Sequence, residues 1–146
     1  MIEKTKRRIP IKQGYFTVPA SPDEPPKFLG TRCQDCGEYF FPRRFICARC
    51  NSENTVGVEM NSTGILYSYT FVHMPMFGSS AEESKEGYGV GQVDLPEGPR
   101  LQMPLAGKQE DFCIGQTVKA ELATLRWDND GNELVSIRFR PVEEKL

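Results

Sequence analysis

No run of the chain approaches the roughly 18 to 20 consecutive apolar residues that a bilayer-spanning helix needs, and the first twelve residues, MIEKTKRRIPIK, contain no apolar core of a secretory signal. Both absences point to a cytoplasmic protein without a membrane partner. The chemistry-bearing residues are equally sparse. There is one histidine, His73, and one tryptophan, Trp127. A Gly-rich phosphate loop, an HExxH zinc helix, a nucleophile elbow and a dinucleotide fingerprint are all missing. No complete catalytic set is assembled, which argues against an enzyme acting alone. Internal repeats and low-complexity tracts are lacking too, as is any convincing amphipathic helix.

What the chain does contain is 146 residues, 38% hydrophobic and 26% charged, enough for one domain or for a metal-stapled module joined to a small β domain. The net charge of -2 hides an asymmetry. Residues 1–50 carry 10 Lys and Arg against 5 Asp and Glu, and residues 51–146 carry 8 against 15. The two parts thus have charges of +5 and -7. An anionic ligand on one side and a partner protein on the other would suit that split, although solvated surface charge produces the same count.

Three segments follow from composition. Residues 1–27 hold Pro10, Pro19, Pro22, Pro25 and Pro26 and read as an extended arm, with one short helix before Tyr15. Ile9, Ile11, Tyr15, Phe16 and Val18 find no partner inside that arm, so they must pack on the rest of the fold or around another protein. Residues 28–60 form a cysteine module. Residues 61–146 carry five β-rich runs, GILYSYTFVH, YGVGQVDL, RLQMPLAG, QTVKAELATLRW and ELVSIRFRPV, separated by a long loop and the turn signals PEGP, DFCIG and DNDG. Five strands without intervening helices favour a closed five-stranded barrel, with the OB-fold first, because closure removes exposed sheet edges. Gly89 and Gly91 are expected to mark bends or bulges in it.

The most specific signal is TRCQDCGEYFFPRRFICARCNSE, in which Cys33, Cys36, Cys47 and Cys50 form two CxxC pairs. Each pair can make a tight knuckle, and two knuckles complete a tetrahedral shell of four thiolates. Gly37 supplies the backbone turn after the first knuckle. Four thiolates leave no position for water or substrate, so one structural zinc is expected; a single iron in the same shell would make an electron carrier instead. Cys113 reads as a small buried hydrophobe, because no candidate base lies near it in sequence. His73 stands at a strand end without a nucleophile to serve, and Trp127 is expected to pack at the barrel edge. Glu82, Glu83, Glu86, Asp128 and Asp130 fall among turn residues and read as solvated loop charges.

Taken together, FLGTRCQDCGEYFFPRRFICARCNSE, STGILYSYTFVH, YGVGQVDLPEGPRL, IGQTVKAEL and the terminal RFRPV resemble, in order, a family of acyl-CoA-associated proteins that join a rubredoxin-like zinc ribbon to an OB-fold. The resemblance covers about Phe28 to Val142; the segment PRLQMPLAG is less polar than the family pattern. It implies a mainly β protein working as a non-catalytic subunit beside a thiolase-like, hydratase or aldolase partner that acts on CoA thioesters. A thiolase-like partner is preferred because the chain is a free-standing small subunit. The residues lend some support to CoA: Phe41, Arg43 and Arg44 offer an aromatic face and guanidinium groups for phosphates, although a hairpin covering the knuckles would need the same residues. Single-stranded nucleic acid is the competing ligand class for an OB-fold, and the -7 charge of residues 51–146 argues against it.

Overall fold

The computed structural model describes residues 8–11, 13–21, 24–73 and 87–142. Among the described residues nine strands run in chain order: β1 (Arg8–Pro10), β2 (Phe28–Cys33), β3 (Tyr39–Phe40), β4 (Thr55–Met60), β5 (Thr63–Val72), β6 (Tyr88–Asp94), β7 (Arg100–Leu105), β8 (Thr117–Trp127) and β9 (Glu133–Pro141). One turn of 3-10 helix, Gln109–Asp111, precedes β8. The strands β3-β2-β4 form a small antiparallel sheet that carries the cysteines. The second sheet runs β1-β9-β7-β6-β5-β8 and closes through β9 pairing with β8, so β5 to β9 make the five-stranded OB-fold barrel.

Period-2 alternation places the barrel core. Gly89, Gly91 and Val93 point inward from β6, as do Val135, Ile137 and Phe139 from β9. In β5 the alternation breaks once. A bulge between Leu66 and Ser68 moves the inward set from Gly64 and Leu66 to Tyr69 and Phe71, which pack on the same core. One inserted residue reverses the facing of every residue beyond it, and this is why the run alternates only partly in sequence.

The glycines of β6 do other work than expected. The bulges lie in β5 and in β8, between Thr124 and Arg126, not in β6. A Cβ on Gly91 would stand 2.8 Å from Leu105 and 2.9 Å from Leu66, and one on Gly89 would stand 2.7 Å from Phe71. These two positions stay bare so that three large side chains can fill a narrow barrel.

The arm folds back on its own chain. No helix forms in its described part; instead β1 pairs in parallel with Glu133 to Val135 of β9. Parallel pairing to a distant strand satisfies the backbone groups that local helix would otherwise satisfy. Farther on, Phe16 bridges Phe28, with Leu29 N–H donating to Tyr15 O at 2.9 Å and Thr17 N–H to Lys27 O at 2.9 Å. Phe16 is only 5% exposed, so this part of the arm is occupied intramolecularly.

Ribbon and barrel share one core. Phe28, fully buried, stacks on Phe139 of β9 with ring centroids 5.5 Å apart, and meets the edge of Phe41 at 5.5 Å. Met60, directly opposite Phe28 in the β2–β4 register, belongs to the same cluster. Phe28→Ala should therefore lower the unfolding free energy by about 3–5 kcal/mol, the cost of an unfilled aromatic site. Urea unfolding followed by circular dichroism would measure it; a loss below about 1 kcal/mol would mean that the two parts do not depend on this contact.

The β8–β9 turn is tied by Asp128, whose carboxylate accepts from the backbone N–H groups of Asn132 and Asp130 and from the Asn132 side chain. The Asn132 backbone bond, with the others behind it, holds this carboxyl below its ordinary 3.8. A depressed carboxyl stabilises the turn above pH 3.8 and loses that contribution as pH falls through the lower, folded value. Carboxyl-carbon NMR titration should put the Asp128 midpoint below 3.8, and an Asp128→Asn chain should lose the pH dependence of turn protection in this window.

Candidate metal centre

Two knuckles of matching geometry hold the cysteines. In the first, Cys33 N–H donates to Glu38 O at 2.9 Å and Gly37 N–H to Cys33 O at 2.8 Å. In the second, Cys47 N–H donates to Ser52 O at 2.9 Å and Asn51 N–H to Cys47 O at 2.9 Å. Each knuckle ends on a left-handed residue directly after its second cysteine: Gly37 at φ 81° and Asn51 at φ 62°. Glycine is the expected solution there. Asparagine is the other common one, because its short amide tolerates the conformation, and Asn51 directly after Cys50 is the matching signal in the sequence.

The four sulfurs lie within 4.8 Å of one another. The Cys33–Cys50 separation is 3.6 Å and the Cys36–Cys47 separation is 3.5 Å. Tetrahedral zinc with sulfur bonds near 2.3 Å requires sulfurs about 3.8 Å apart, so the donor set lies close to that of a four-coordinate ion. Backbone amides of Arg49 and Cys50 also point at the Cys47 sulfur, at 3.3 and 3.4 Å, and would stabilise a thiolate there.

Electrostatics favour a cation in the same place. The Cys36 backbone N–H, with that of Asp35 and the neighbouring thiols, outweighs burial and holds the Cys33 thiol down at about 7, against an ordinary 9.0. At Cys50 the Ser52 backbone N–H pulls the other way, but the adjacent Cys33 sulfur, burial and the remaining thiols push the group up to about 12. One thiol ionises readily and the last resists, since like charges this close repel. Only a bound cation lets all four ionise together near neutral pH.

Polar bonds outside the sulfur shell close the module. Asp35 accepts from the Ser52 hydroxyl and from Asn54 Nδ2 at 3.4 Å, which joins the first knuckle to the approach to β4. Arg49 meets Glu38 at 3.2 Å across the two knuckles.

The other candidate residues are dispersed. Phe41 is half-buried, its ring set against Tyr15 and Phe28, so its face belongs to the core. Arg43 and Arg44 are exposed, and Arg44 lies over Phe40 with its guanidinium carbon 5.7 Å from the ring centroid. The exposed aromatic of this loop is Phe45, at 90%. Cys113 is also exposed, contrary to the buried role expected of it; its N–H is taken by Gln116 Oε1 in a tight turn that turns the thiol outward. Trp127 is 63% exposed rather than packed, because β8 and β9 run on together past the barrel rim. His73 is exposed at the end of β5. Glu82, Glu83 and Glu86 lie outside the described residues. Among the described residues no helix is long and apolar enough to cross a membrane.

Known proteins share this arrangement. Residues 23–56 match the ChsH2 rubredoxin-like zinc ribbon domain and residues 57–123 match the ChsH2 C-terminal OB-fold domain. A benzoylsuccinyl-CoA thiolase subunit, BbsA, of Thauera aromatica is 32% identical over 80% of this chain and 78% of its own. The chain belongs to the ChsH2-type DUF35 family. A DUF35 domain-containing scaffold protein of Methanocaldococcus jannaschii is 29% identical, covering 79% of this chain and 82% of that one. Among solved structures, the chain resembles part of an Ltp2-ChsH2(DUF35) aldolase at 31% identity, with a TM-score of 0.60 and coverage of 79% of this chain and 84% of that one. The family match ends at residue 123, whereas β8 and β9 continue to Pro141.

Changing Cys36 or Cys47 to Ser should reduce bound metal from about one ion per chain toward none, measured by mass spectrometry of the metals in purified protein. Cys113→Ser should leave the metal content unchanged. Equal metal in the Cys36→Ser and wild-type proteins would remove these residues from the site.

Proposed function

We propose that this chain is a non-catalytic subunit of a heteromeric enzyme that processes acyl-CoA thioesters, with a thiolase-like protein as its partner. In this reading Cys33, Cys36, Cys47 and Cys50 hold one structural zinc, which fixes the ribbon and takes no part in chemistry. The observation that carries the proposal is the 32% identity to a thiolase subunit along 80% of the chain. The scaffold description of the archaeal relative supports a structural part in an assembly. The protein's own chemistry agrees, since a shell of four thiolates has no open position for substrate.

An aldolase partner is the second reading, favoured by the likeness to the Ltp2-ChsH2(DUF35) aldolase. The two readings share the ribbon and barrel and differ only in the catalytic subunit. Arg43 and Arg44 are exposed and adjacent, whereas Phe41, the third residue expected at a CoA site, packs on Tyr15 and Phe28.

Affinity purification of the tagged chain from its native cells, followed by protein mass spectrometry, tests the reading. A thiolase-like or aldolase-like enzyme in near-stoichiometric amount is expected, and its class would name the reaction. Recovery of the chain alone, or with nucleic acid, would overturn the proposal.

A further inference from the structure

We infer that the ribbon loop from Arg43 to Ile46 is a docking knob that inserts into an apolar, carboxylate-rimmed pocket on the catalytic subunit. The inference rests on the accessory-subunit reading above and names the surface and the partner chemistry.

Among the described residues Phe45 is the most exposed large hydrophobic, at 90%, with Ile46 next to it at 51%. Its side chain is free while its backbone is fixed. Thr55 Oγ1 donates to Phe45 O at 3.1 Å, Arg44 N–H donates to Thr31 Oγ1 at 3.2 Å, and Arg44 Nε donates to Ile46 O at 3.4 Å. Cys47 anchors the next residue in the sulfur cluster. An aromatic ring presented on a fixed backbone loses little conformational freedom on binding, which is the property of an interface anchor.

Charge identifies what receives it. Residues 39–50 contain three arginines and no acidic residue. Arg49 is matched by Glu38. Among the described residues, Arg43 and Arg44 take part in no ion pair; Arg44 only lies over Phe40 and bonds the loop carbonyl. Two unmatched guanidinium groups beside an exposed ring call for a pocket that is apolar at its centre and acidic at its rim. A ring so exposed protrudes instead of lining a cleft, so the loop reaches into a protein surface and does not by itself enclose a small anion.

The test is photocrosslinking in native cells, with benzoyl-phenylalanine at position 45 or, separately, at position 127 of the full chain. Trp127 is a suitable control because it is also exposed, at 63%, but lies at the β8–β9 hairpin end. The expected result is a crosslink from position 45 to an identified acyl-CoA enzyme, lost when Arg43 and Arg44 are both changed to Glu. In the reconstituted complex, Phe45→Ala should weaken association on the order of thirty-fold, and the attraction lost on charge reversal should be the salt-sensitive part. Metal content equal to wild type would establish that these variants fold. A crosslink from 45 to a protein of another class, also lost on charge reversal, would keep the docking knob and overturn the accessory-subunit reading. No crosslink at 45, a crosslink only at 127, a crosslink to a second copy of this chain, or Phe45→Ala affinity within two-fold of wild type would overturn the docking inference.

Discussion

The ring of Phe28 is the contact on which the other parts of the molecule converge. It begins the first ribbon strand, yet it is fully buried against Phe139 of the barrel, and the same residue's backbone receives the arm through the Phe16 bridge. Arm, ribbon and barrel therefore meet at one residue. Burying an aromatic of this size contributes on the order of 1.5–3 kcal/mol. The larger effect is geometric, because a stacked ring fixes the direction in which the ribbon leaves the barrel.

A sheet as small as β3-β2-β4 has little core of its own. Its buried apolar side chains, Phe28 and Met60, belong to the cluster shared with the barrel, and β3 is only two residues long. What remains inside the ribbon is the group of four sulfurs and the polar bonds around Asp35 and Glu38. A module of this size holds its shape through a metal and through attachment to a larger body, since apolar burial alone is insufficient. The sulfur cluster and Phe28 sit at opposite ends of β2 and serve as those two attachments.

How far the sequence was legible follows the range of the interactions. CxxC spacing is local chemistry, and it brought Cys33, Cys36, Cys47 and Cys50 together as expected. The barrel strands were legible for a similar reason: β-branched and aromatic runs ended at Gly, Pro and Asp clusters, which are local turn signals. The arm was not, because its parallel pairing to β9 joins residues more than a hundred apart and leaves no periodic trace. Cys113 and Trp127 failed for another reason. Residue type gives the average preference for burial, whereas the tight turn before β8 and the overrun of the β8–β9 hairpin decide these two cases. Gly89 and Gly91 were recognised as special, but sequence could not tell a bend from a space reserved for Leu66, Phe71 and Leu105.

The placement of apolar residues that remain outside the core is itself informative. The core is filled by barrel side chains together with Phe16, Phe28 and Met60, and the two bare glycine positions admit neighbouring leucines and phenylalanine. Polar groups near the metal centre are committed to holding the knuckles in register. Among the described residues the two most exposed aromatic rings lie at extremities, Phe45 on the ribbon loop and Trp127 at the hairpin end. Isolated exposed hydrophobics are ordinary on any protein. A ring presented on a hydrogen-bonded loop between unmatched arginines is less so, because the same rigidity that gives folding nothing lowers the entropy lost in association. A closed sulfur shell and an outward ring on a fixed loop agree with the proposed part of this chain in holding a partner enzyme in place.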